Sequence, residues 1–306
     1  MGHSDRPNIV VAVLLLLSVV PLSHGVGADS RRAEELYQRT QYRSALDLLL
    51  PLSPKDVATY ALIGRAYYME GQYKSSTTYL EKAVAEDSLH SSYHDWLGKA
   101  YGRRAEQSCL LTALAYARNT HESFEKAVVL DAGNPEALGD LFEYYLEAPG
   151  IAGGGMDKAE DVAARIRRQD EIEGHYVLAR IAENRRDVET AEREYRTAMQ
   201  LAPRDIRRVI DLAALFAKQG HYQESENLFD LAREIAPDSP KLFVARAASY
   251  IQTGRNLVEA SALLQRYSGS PHTHDAPPSS EVERLLKASG KRDVSASGAS
   301  SRGTSS

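Results

Sequence analysis

The chain has 306 residues, and 37 Lys plus Arg against 42 Asp plus Glu leave a formal net charge of −5. That charge has the wrong sign for a general nucleic-acid binder, whose affinity rests on neutralising phosphates. An apolar content of 43% excludes wholesale disorder, and a single cysteine excludes an internal disulfide or a Cys-rich zinc site.

At the N-terminus, Arg6 precedes an apolar run over 9–17, then Ser18, Val19, Val20, Pro21 and Leu22. A mature membrane-spanning helix needs roughly 20 apolar residues. This run is shorter, ends near a proline and is followed by small residues, the proportions of a cleavable export signal. Small residues suit cleavage at Ser23/Gly25 or Val26/Ala28; cleavage after Ala28 is expected, making 1–28 a signal peptide. The alternative is an uncleaved anchor. Export places the mature chain in the periplasm or outside the cell, with no membrane span of its own.

From 29 to 268 the sequence repeats. Arg186, Gly220 and Gly254 stand 34 residues apart, as do Tyr195 and Phe229, Ala198 and Ala232, and Pro203, Pro237 and Pro271. Tyr60, Gly64, Tyr67, Gly71, Tyr73, Leu80 and Ala83 add a Y-x-x-I-G-x-x-Y…G-x-Y pattern, and Trp96, Gly98 and Tyr101 restate its first half. In a 34-residue period these residues resemble the tetratricopeptide repeat, a pair of antiparallel helices that buries its apolar face only by stacking. The resemblance implies an all-α tetratricopeptide-type solenoid, here of about seven helix pairs: 31–52, 54–88, 90–132, 135–170, 173–203, 206–237 and 240–268. The first helix is expected to be short, and an excess spacing of about ten residues between Gly98 and Phe124 marks an insertion within 105–116 that lengthens the third pair. Beyond it, 269–306 reads as a Pro/Ser/Gly-rich linker, a short helix over 281–288 and a disordered tail.

No sequence pattern points to catalysis. Gly150, Gly155 and Lys158 mimic phosphate-loop spacing, but Met156 and Asp157 intervene and a helical segment precedes them. His90 and His94 stand four apart with no third ligand, so neither a metal nor another cofactor is expected. Cys109, in an apolar stretch, is expected to be buried. The resemblance implies that first helices line an inner groove, with the residue after each repeat glycine facing it: Arg65, Lys99, Glu143, Arg180, Ala214 and Ala248. With Arg103 one turn beyond Lys99, Arg65, Lys99, Arg103 and Arg180 make an expected basic groove for a partner carrying carboxylates. The loop glycines Gly153, Gly154 and Gly155 are a second candidate contact, costly in ordering entropy unless used. The expected function is a non-catalytic scaffold for another protein or peptide. The alternative is an enzyme or a small-molecule or anion binder using a pocket near 149–158.

Overall fold

The computed structural model describes residues 24–269 and 276–300; the apolar run at 9–17 and the last six residues lie outside them. Fifteen α-helices are present among the described residues, fourteen of them paired. The pairs are α1 (His24–Gln38) with α2 (Tyr42–Leu49), α3 (Val57–Met69) with α4 (Tyr73–Glu86), and α5 (Ser91–Glu106) with α6 (Leu110–Leu130). Next come α7 (Pro135–Glu147) with α8 (Met156–Gln169), α9 (Glu171–Asn184) with α10 (Val188–Leu201), and α11 (Ile206–Gln219) with α12 (Tyr222–Ile235). The last pair is α13 (Pro240–Thr253) with α14 (Leu257–Gly269), followed by α15 (Ser279–Ser300). The seven expected pairs are all there. In the first it is α2, with eight residues, that is short, while α1 has fifteen and runs through position 28. The insertion lengthens α6 to 21 residues.

Local signals set the helix ends. Asp56, Asn134, Asp170, Asp187 and Asp205 each accept a backbone N–H from the first turn of α3, α7, α9, α10 and α11. Between the two helices of six of the seven pairs, α5–α6 being the exception, the chain turns through a left-handed residue. Arg186, Gly220 and Gly254, the three positions spaced by 34, have φ of +61°, +84° and +70°. The repeat period is therefore a period of left-handed turns.

The small residues of the pattern let the two helices of a pair touch. A Cβ on Gly64 would stand 2.5 Å from the Leu80 side chain, and one on Gly98 would stand 2.6 Å from the Phe124 ring. Ala83, Ala198 and Ala232 are fully buried, and Tyr195, Phe216, Phe229 and Tyr250 fill the spaces between pairs. The core thus runs along the array as a chain of linked clusters. Among the described residues no helix is long and apolar enough to cross a membrane.

Cys109 departs from expectation. It is the exposed N-cap residue of α6, because the α5–α6 turn carries it and its neighbours Leu110 and Leu111 beyond the packed face.

Candidate partner-binding groove

The odd-numbered helices lie side by side along the array, and their facing charges form a ladder. The Lys99 ammonium on α5 sits 3.0 Å from Asp95 on its own helix, and 2.5 and 3.0 Å from Glu136 and Asp140 on α7. Arg180 on α9 reaches back to Glu143 and Glu147 on α7, at 2.6 and 2.8 Å. Arg208 on α11 continues the series, donating to Glu173 on α9 at 2.7 Å and to Asp211 at 3.1 Å. Arg103 pairs with Glu106 at 3.0 Å and with Glu281 of α15 at 3.2 Å.

These four cations are enclosed and several of their anions are not, whereas Lys218, paired with Glu183 between α11 and α9, is more exposed than its acid. Side-chain exposure is 15% for Lys99, 21% for Arg103 and Arg180, and 3% for Arg208. It is 60% for Glu106 and Glu136 and 68% for Glu147. The expected basic groove is therefore corrected: Lys99, Arg103 and Arg180 do lie along this face, but as the covered half of each ion pair. The cause is chain separation. Lys99 pairs with a residue 37 positions on, Arg180 with one 37 positions back and Arg208 with one 35 positions back. That is about one repeat plus a few residues, a spacing at which acid–base pairs could have been sought in the sequence.

Arg65 is held differently. Its guanidinium lies over the Tyr37 ring at 4.6 Å and the Trp96 ring at 5.2 Å, and among the described residues no carboxylate pairs with it. Lys99 approaches the same Trp96 ring at 4.8 Å. The single tryptophan of the chain thus sits at the head of the ladder.

Burial, aided by neighbouring carboxylates, shifts the titration of several of the ladder's acids. Burial, with Asp140 and Glu136 close by, pushes the Asp95 carboxyl up to about 7 although Lys99 pulls it down. Burial likewise raises Asp140 and Glu143, and it lifts Asp211, next to Glu173, to about 7 against the pull of Arg208. Donor atoms of Asp95, Glu136 and Asp140 lie within 4.8 Å of one another, a separation that suits a metal ion. The Lys99 ammonium already stands among them, so a metal would have to displace it. Between α7 and α9 a cavity of about 610 Å³ is rimmed by Glu136, Asp140, Glu143, Asp170, Glu173 and Arg207, over an apolar floor of Leu138, Phe142, Ile166 and Val177. Glu136 and Asp140 already pair with Lys99, Glu143 with Arg180 and Glu173 with Arg208, so a cationic side chain with an aliphatic stem would lie on that floor and share carboxylates the ladder holds.

The other sequence candidates have structural explanations. Gly153 has φ +99° and packs on the His121 ring; a Cβ on Gly154 would stand 1.9 Å from the Ala148 carbonyl oxygen. Tyr144 donates to the Ala152 carbonyl and Lys158 to that of Gly153, while the Gly155 N–H donates to Tyr145. These glycines serve a tight α7–α8 turn, and the would-be anion-binding Lys158 is spent on the loop itself. His90 stacks on Tyr93, while buried His94 meets the Ser88 carbonyl, so the two do not converge on one point.

Residues 57–88 match the tetratricopeptide repeat family model, and they coincide with α3 and α4. A tetratricopeptide repeat protein from Parabacteroides merdae superposes with a TM-score of 0.58 at 13% identity, covering 87% of this chain and 99% of the other. A thermophilic tetratricopeptide protein of Thermus thermophilus gives a TM-score of 0.52 at 18% identity, covering 62% and 98%. The APC/C hetero-tetramer Cut9–Hcn1 gives 0.50 at 13% identity, covering 84% and 48%. No curated protein matches the sequence. At such identities the likeness concerns the fold: this chain is a tetratricopeptide-type helical-repeat solenoid.

Proposed function

We propose that the chain is an exported scaffold, without catalysis of its own, that holds a basic segment of another protein along the row of odd-numbered helices. Two findings support a binding role: the tetratricopeptide repeat at 57–88, and an array whose stacked pairs leave a long continuous face. The observation that carries the choice of partner is the inside-out charge of that face. Lys99, Arg103, Arg180 and Arg208 are covered, while Glu106, Glu136 and Glu147 stand in solvent; Lys218, paired with Glu183, and Arg207 are exposed exceptions on α11. A Lys- or Arg-bearing segment gains charge-assisted hydrogen bonds from those carboxylates without breaking the ladder beneath. Long-range attraction speeds the encounter, and salt weakens it. Export rests on the N-terminal segment with its small-residue cleavage positions.

Trp96 supplies the assay. Titrating a Lys/Arg-rich peptide should change its fluorescence, and Glu136→Gln with Glu147→Gln should weaken binding several-fold while leaving far-UV circular dichroism unchanged. Equal affinity for the double variant and the parent chain would refute this reading.

A further inference from the structure

Helix α15 does more than cover the last pair. Its Val282 and Leu285 are buried with Phe243, Leu264 and Tyr267 of α13 and α14, which fixes one side of the helix by apolar packing. Its first turn reaches back to the start of the array. The Ser280 hydroxyl lies 2.6 Å from that of Tyr73, a residue 207 positions away, and Arg103 donates to Glu281 across 178 positions. Ser280 also seats on the left-handed turn at Gly71, so closely that a Cβ added there would stand 2.8 Å from the Ser280 Cβ. Between α15 and the second and third pairs lies a cavity of about 730 Å³, lined by Glu70, Arg103, Glu106, Glu281, Arg284 and Lys287.

The two attachments differ in kind. The one on α13 and α14 is an apolar cluster, which holds firmly in water. The far one consists of a hydroxyl pair and a partly exposed ion pair, which water and salt weaken. Arg103 keeps a second carboxylate, Glu106, when Glu281 leaves. The helix is thus built to let go at its first turn while its body stays docked.

From this we infer that α15 is a strap, one that closes the groove at the second and third pairs and must release Tyr73 and Arg103 before a partner segment can lie there. The closure stands on the contacts just described; its effect on a partner rests on the function proposed above.

The experiment uses the full mature chain. A spin label on Cys109, the only cysteine and an exposed one, is paired with a second label at Ser279→Cys, an exposed position in the first turn of α15. Pulsed electron resonance of the parent should give one narrow distance distribution. Ser280→Trp, which cannot seat on Gly71, and Arg103→Glu should each broaden and lengthen it, and the exchange Arg103→Glu with Glu281→Arg should narrow it again. A broad parent distribution, or Ser280→Trp unchanged from the parent, overturns the strap. Calorimetry with the same Lys/Arg-rich peptide should show about threefold tighter binding to Ser280→Trp, a charge-neutral change. Altered distances with unaltered affinity would overturn its role in access. A peptide that binds neither protein would count against the proposed function alone, since the distances still decide whether the strap exists.

Discussion

Lys99→Met removes the one cation that Asp95, Glu136 and Asp140 share, and its cost follows from how each carboxylate is placed. Glu136 is 60% exposed, so water replaces most of what it loses. Asp140 is about one-third exposed and loses more. Asp95 is 3% exposed and has an oxygen without a hydrogen-bond partner, so its charge would be left buried and unpaired. Breaking a buried pair in this way costs about 3–5 kcal/mol. The loss depends on pH with a definite sign. A carboxyl whose folded-state pKa is raised binds its proton more tightly in the folded chain. Its stabilising contribution is complete below the unfolded value near 4 and is lost as pH rises through the folded value, about 7 for Asp95. Without Lys99 that folded value rises further. The gap between variant and parent should therefore be widest near pH 8 and shrink to about 1–2 kcal/mol near pH 5, where protons neutralise the cluster. Urea unfolding followed by circular dichroism at both pH values measures it. Adding Asp95→Asn should recover about half of the loss near pH 8, as two residues of one network are not additive. A loss below 1 kcal/mol at pH 8, or the same loss at both pH values, would show that Lys99 is a solvated groove cation after all.

Two further perturbations test the turns. Arg186 adopts φ +61° where the equivalent positions are Gly220 and Gly254, so Arg186→Gly should stabilise the chain by about 0.5–1 kcal/mol in urea unfolding, relief of the left-handed strain exceeding the entropy cost of glycine. Gly154→Ala should destabilise by more than about 2 kcal/mol, because its methyl would meet the Ala148 carbonyl at 1.9 Å and backbone cannot move aside as a side chain can; wild-type thermal stability would return the loop to the list of free contact surfaces.

The fold was legible because each stacking constraint leaves its mark within one repeat. A small residue is needed where α3 meets α4 or α5 meets α6, and Gly64 and Gly98 show it. A left-handed turn is needed every 34 residues, and Gly220 and Gly254 show it. The groove was legible only in part. Lys99, Arg103 and Arg180 were found on the right helices, but their charge state in context depends on acids a full repeat away, on neighbouring helices. Charge along one helix says nothing about what faces it. Two other features could not be read for the same reason. Cys109 is exposed because an inserted turn lifts it off the core, and Ser280 meets Tyr73 because the whole array brings its last helix back to its second pair.

Selection of basic partners is the property proposed for this face, although its most enclosed charged side chains include the cations Lys99, Arg180 and Arg208. It is tested most directly by comparing a Lys/Arg-rich and an Asp/Glu-rich peptide of equal length for binding to the chain, by calorimetry at low and at physiological salt. The charge arrangement predicts that the basic peptide binds, that its affinity falls as salt rises, and that the acidic peptide does not bind. Binding of the acidic peptide in preference to the basic one would contradict it.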